Sequence, residues 1–237
     1  AFEAEKENEI HLGLKKKLTQ RFREAKLLPD AKRNYYKAEE LVLAVPYGMA
    51  KFRDSSLWGE SFKDVPPFVG LSDDSAKQFN PYFLWLKDDL GLRLFTLSDW
   101  AEKLCELPER TLEFDEVANE DEKEKTDKIK DELTDLYDFL LAQWRKRYQY
   151  HSSPRTESYE KIFYECLSKV WNPLKKAPLS LNMENRLCPA WAGGKPVLYI
   201  EAENKYHHLA AKLLIHAEMA EHYGELFKGV FEIVEFD

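Results

Sequence analysis

Pro196-Val197-Leu198-Tyr199-Ile200-Glu201-Ala202-Glu203-Asn204-Lys205 is the stretch on which the reading of this chain turns. It is an apolar run that follows a Gly193-Gly194 turn signal, and it ends in charge. Such a run reads as a β-strand. Side chains alternate across a strand, so Leu198, Ile200 and Ala202 share one face. Val197, Tyr199, Glu201, Glu203 and Lys205 share the other. Glu201 and Glu203 then stand about 7 Å apart along one face. Like charges so placed repel, and partly buried carboxylates resist ionising. A divalent cation removes that conflict, and oxygen ligands at this spacing suit Mg²⁺ or Mn²⁺. The alternative is an edge strand whose second face meets water.

Working outward, the residues around this strand form a compact pattern. Residues 155–171 repeat apolar positions at helical spacing, through Tyr159, Ile162, Phe163, Cys166, Leu167 and Val170, and Asn172-Pro173 closes the run. Residues 178–184 alternate as a strand, and Leu187–Ala192 reads as another. After the quoted strand, 206–228 reads as a helix with Leu209, Leu213, Ala217, Ala220 and Phe227 on one face and Gly229 as its C-cap. Val230–Phe236 is a final strand. The order is α-β-β-β-α-β.

Upstream, the chain reads as mostly helical. Leu14, Leu18, Phe22 and Ala25 place a helix over 4–26. Asp30 caps a second helix that carries Tyr35, Ala38, Leu41 and Val42 and stops by Pro46. An irregular, aromatic-rich segment follows to Pro81, and a short helix covers 99–107. The charge run 115–132 reads as a solvated loop or an exposed helix start. Ile129, Leu133, Leu136, Leu140 and Trp144 place a long helix over about 125–150. Ser152-Ser153-Pro154 marks a domain boundary, with a helical region at 1–151 and an α/β region at 152–237.

Composition narrows the function classes. A chain of 237 residues with 44% hydrophobic and 14% aromatic residues has the material for a folded core. A net charge of −8 argues against a general nucleic-acid coat and against a membrane-surface protein, though not against a local basic groove. Three cysteines, Cys105, Cys166 and Cys188, without CxxC spacing fit reduced thiols in a cytoplasmic protein. No apolar run reaches about 18 residues, so no membrane span is expected.

The element order, with Glu-x-Glu-Asn closing the third strand, resembles the core of the PD-(D/E)xK nuclease superfamily over residues 155–237. The resemblance implies an α+β fold: a helical N-terminal region followed by an αβββαβ nuclease-like core. It implies Glu201 and Glu203 as the strand pair of acids, and Lys205 or Lys212 as the lysine that positions or activates water. Lys212-Leu213-Leu214 matches members that carry this lysine on the following helix. Glu160 and Glu165 are candidates for a first-helix acid. The family's upstream Asp is missing, and Glu184 is the carboxylate on the preceding strands. Either Glu184 replaces that Asp, giving Glu184, Glu201 and Glu203 as metal ligands, or the site binds without cutting. The implied cofactor is Mg²⁺ or Mn²⁺, and the implied partner DNA or RNA. The other reading is a non-catalytic subunit that binds a protein partner through its helical half.

Weaker signals stand beside this one. Glu218 and His222 lie at i, i+4, with His216, His208 and His207 nearby, a spacing that could hold zinc. Arg145 and His151 have the spacing of the R-x4-6-H element of HEPN ribonucleases, with Lys146 where that family usually has a polar residue. Basic residues ending a helix also satisfy its dipole.

Overall fold

The computed structural model describes residues 2–72, 74–76, 80–112, 120–150, 171–201 and 211–236. It is an α+β protein whose chain divides into two compact units. One comprises residues 1–50 and 64–96, the other 51–63 and 97–237. The boundary expected at 152–154 lies outside the described residues.

In the first unit, helix α1 (Phe2–Glu24) leads into a small antiparallel pair, β1 (Leu28–Pro29) with β2 (Tyr35–Tyr36). Asp30 organises the turn between them. Its carboxylate accepts the backbone N–H groups of Lys32 and Asn34 at 2.8 and 2.9 Å. Strand β3 (Val42–Val45) then pairs in parallel with β4 (Arg93–Thr96). The helix expected over 30–46 is therefore corrected to β2, a 3-10 turn at Ala38–Glu40, and β3. Leu41 to Val45 are all buried. A helix would leave part of such a run facing water, whereas a parallel strand covered on both faces buries every residue. Asn80 caps α2 (Pro81–Leu84) by accepting the Tyr82 N–H at 2.8 Å, and α2 runs on into a π-helical turn, Trp85–Asp89.

The second unit is built on α4 (Glu120–Tyr150), the long helix expected from its apolar stripe. Leu133, Leu136, Tyr137 and Leu140 are fully buried along it. Residues 120–132 of the charge run belong to this helix, and 113–119 lie outside the described residues. α3 (Leu97–Leu104) buries Trp100, which stacks on Phe52 and Phe62 and meets Phe139 of α4 edge-on. The indole N–H of Trp100 donates to Ser61 at 2.7 Å, so the buried ring carries no unsatisfied donor. A carboxylate of α4 fixes the 55–58 turn. Glu132 accepts hydrogen bonds from the hydroxyls of Ser55 and Ser56 and from the backbone N–H groups of Ser56 and Leu57.

The strands of this unit are short. β6 (Ser180–Leu181) and β7 (Arg186–Cys188) form a hairpin that takes β5 (Arg110–Thr111) on its outer edge. β8 (Trp191–Ala192) and β9 (Lys195–Pro196) are closed by Gly193 and Gly194, both at positive φ, as the turn signal predicts. β10 (Tyr199–Glu201) pairs in parallel with β11 (Val234–Phe236), and helix α5 (Ala217–Gly229) makes the crossover between them.

The sequence predicts a central strand over 196–204 flanked by a hairpin over 178–192 and followed by a helix over 206–228, and the structure departs from this in two places. The hairpin over 178–192 does not lie directly beside β10. Residues 214–215 run between them, with the Ile215 N–H donating to the Tyr199 carbonyl at 3.0 Å and the His216 N–H to the Leu181 carbonyl at 2.9 Å. Of the helix expected over 206–228, residues 206–210 lie outside the described residues, 211–216 are not α-helical, and the helical part is Ala217–Gly229. Before it, Ala211–Leu213 is a 3-10 turn and Leu214-Ile215 is extended. Buried strand edges must find backbone partners, and residues 214–216 supply them to β6 and β10 at once. The buried face of α5 is Met219, Tyr223, Leu226 and Phe227, while Ala217 is exposed. Gly229 ends α5 under the indole of Trp144, so it is a close-packing residue as well as a helix end. The final strand is confined to 234–236; Val230, Phe231 and Ile233 are buried without strand pairing.

Candidate functional site

The backbone of β10 gives the quoted strand the alternation that its sequence requires. Ile200 is buried, and Tyr199 and Glu201 are half-buried on the other face. Glu201 stands opposite Phe236 of β11 in parallel register, and one of its carboxylate oxygens is buried. Glu203 and Lys205 lie outside the described residues, as do Glu160, Glu165, His151, His207 and His208.

Glu184 and Lys212 come together in a cleft of about 260 Å³. The architecture explains why. Glu184 sits in the tight turn between β6 and β7, where Asn185 adopts a positive φ. Lys212 sits on the 3-10 turn that precedes the inserted 214–215 segment. Asn182 pins the two turns to each other. Its side-chain oxygen accepts the N–H groups of Glu184 and Arg186 at 3.0 and 2.9 Å, and its amide donates to the Lys212 carbonyl at 3.1 Å. Asn182 is 2% exposed, so its hydrogen bonds are sheltered from water. Its importance is not visible in sequence, because a polar residue between a strand and a turn is ordinary until its partners are known.

Opposite charges also line the cleft. Arg186 pairs with Glu109 at 2.6 Å, while Lys212 is exposed and forms no ion pair among the described residues. Cys188 lines the same cleft. Burial, helped by Glu109 and opposed by Arg186, pushes its thiol up to about 11. At neutral pH it is a thiol and not a thiolate, so it is not an activated nucleophile. Val197 and Leu198 contribute the apolar wall, while Glu201 stands outside the lining. Among the described residues, no three His, Cys, Asp or Glu side chains are grouped closely enough to hold a metal ion. Glu184 and Glu201 therefore do not form a ligand set with a third described residue.

The described residues of the weaker signals make structural contacts. Arg145 places Nε and Nη2 on one carboxylate oxygen of Glu225, at 3.0 and 2.6 Å, and so ties α4 to α5. His222 turns its Nδ1 to the Glu218 carbonyl at 2.9 Å, a contact within one helical turn. His216 stands at the N-terminus of α5. Burial lowers its pKa; Glu218 opposes this and Lys130 adds to it. No helix among the described residues is long and apolar enough to cross a membrane.

A scan against protein-family models found no match to this chain, and neither the curated proteins nor the solved structures gave one.

Proposed function

We propose that residues 152–237 form a nucleic-acid-processing core of the PD-(D/E)xK type, a divalent-metal-dependent nuclease or nuclease-like protein acting on DNA or RNA. The observation that carries this reading is the β10–α5–β11 crossover, two parallel strands joined by a helix with Glu201 on the first. The convergence of Glu184 and Lys212 on one cleft supports it further. Glu201 and Glu203, with Glu184, are the residues that would hold Mg²⁺ or Mn²⁺. Such an ion, when bound, lowers the pKa of its water and neutralises charge on the phosphate. Lys212 or Lys205 is the ammonium suited to the phosphodiester anion, since a cation at that point repels metal and attracts phosphate.

The test pairs Mn²⁺ titration calorimetry with cleavage assays on single- and double-stranded DNA and RNA. Glu201→Ala is expected to abolish both metal binding and cleavage. Lys212→Ala is expected to reduce cleavage while sparing metal affinity. A wild-type protein that neither binds Mn²⁺ nor cuts any substrate overturns the reading.

A second reading, a non-catalytic subunit that binds a protein partner through its helical half, is favoured by one observation. No aspartate stands between residues 155 and 200, where the nuclease superfamily carries its upstream metal-binding Asp. Failure of the calorimetry and of the cleavage assays together is the outcome this reading expects.

A further inference from the structure

We propose that α1 is a docking helix for an acidic protein that presents an apolar groove. On α1, Leu14, Leu18 and Phe22 recur at helical spacing and fall within about 80° of arc, and Ala25 follows the helix end. The lower end of this stripe is used by the unit itself. Phe22 meets Trp85 edge-on at 5.3 Å, and Trp85 stacks on Tyr82. The upper end is not. Leu14 and Leu18, one turn apart, are 56% and 48% exposed. Two large apolar side chains in water on successive turns are the i, i+4 anchors of helix-in-groove recognition.

The charge around the stripe names the chemistry of the occupant. Residues 12–26 carry six cations, Lys15, Lys16, Lys17, Arg21, Arg23 and Lys26, against one carboxylate, Glu24, in a chain of net charge −8. On a helical wheel, Lys17 and Arg21 flank the stripe on one side and Lys15 on the other, with Lys26 just past the helix end. Lys15 is held by Asp89 at 2.9 Å and Arg23 by the Asp89 carbonyl at 2.5 Å. Lys16, Lys17, Arg21 and Lys26 are exposed. A groove with an apolar floor and carboxylates on both rims complements this face. A lipid surface fits it less well, because a helix lying in a bilayer needs a broad apolar face. Here Phe22 is already covered, which leaves Leu14 and Leu18 on this stripe, while the exposed Leu12 lies on another side of the helix. This inference does not depend on the nuclease reading. It rests on the second reading above and narrows it to one surface and one class of partner.

The experiment uses the full chain and three probes. Calcium-loaded calmodulin supplies an acidic apolar groove, phosphatidylserine vesicles supply an anionic lipid surface, and sedimentation velocity reads self-association. Binding to calmodulin is expected, with weakening as salt rises. Leu18→Asp is expected to weaken it at least about tenfold, because it drives a carboxylate into the groove. Leu14→Asp is expected to act likewise, and Lys17→Glu/Arg21→Glu to slow association. Unchanged circular dichroism and thermal midpoint in these exposed-site variants separate lost docking from lost folding. No calmodulin binding, vesicle binding in its place, or a Leu18-dependent dimer each overturns the proposal. Calmodulin binding that survives both leucine substitutions overturns α1 as the surface, while a protein-binding role elsewhere on the helical half still stands.

Discussion

Gly229 lies directly against the indole of Trp144: a β-carbon on Gly229 would sit 2.7 Å from Cε2 and Cζ2 of that ring. The contact locks the C-terminus of α5 to α4, and Trp144 in turn meets Trp171 edge-on at 5.4 Å. Gly229→Ala must displace a large, buried, doubly packed ring and not the end of a flexible side chain. The expected cost is about 1–3 kcal/mol, the range for overpacking in a well-filled core. Urea denaturation checks it. A Trp144→Phe background should remove part of the penalty, because the smaller ring opens space for the methyl group. Additive effects of the two substitutions would contradict a direct clash.

Glu132 makes the second unit sensitive to acid. Burial by itself would raise its pKa. Hydrogen bonds from the Ser55 hydroxyl, the Ser56 and Leu57 N–H groups and the Ser56 hydroxyl outweigh that and lower it below the ordinary 4.5. A depressed carboxylate pKa stabilises the fold fully above the unfolded value, and that contribution is lost as pH falls through the folded value. The stability of the wild-type protein should therefore decline below about pH 4.5 more steeply than that of Glu132→Gln. Chemical denaturation between pH 3 and 7 is the measurement. Parallel pH profiles for the two proteins would exclude Glu132 as a source of the acid dependence.

Cys188 should resist alkylation although it borders a cleft. Its thiol, pushed up to about 11, holds only about one thiolate in a thousand at pH 8. Iodoacetamide labelling followed by peptide mass spectrometry should leave Cys188 unmodified in the native protein. Exposed Cys105 should react first, and Cys188 only after denaturant is added. Labelling of Cys188 as fast as Cys105 in the native state would mean that the thiol is more open or more acidic than its surroundings indicate.

The helices α1 and α4 were determined by sequence alone, because an apolar stripe at helical period needs no knowledge of what it packs against. The same holds for the β8–β9 turn, where Gly193 and Gly194 tolerate the positive φ that a tight hairpin demands. The alternation of Tyr199, Ile200 and Glu201 on β10 belongs to this group too, since a strand's faces follow from its period.

Tertiary structure decided what depends on a partner distant in the chain. Val42–Val45 is an apolar run with no periodicity of its own to choose helix or strand. Only its pairing with Arg93–Thr96, some fifty residues away, makes it a strand. Leu214-Ile215 carries helical-looking neighbours on both sides, yet the open backbone edges of β6 and β10 draw it into extended pairing. That insertion puts Lys212 on a turn and not an α-helix, at the cleft that Glu184 also lines. Local side-chain pattern fixes which residues can form an element. Whether they do so is settled where buried backbone groups elsewhere in the chain still require partners.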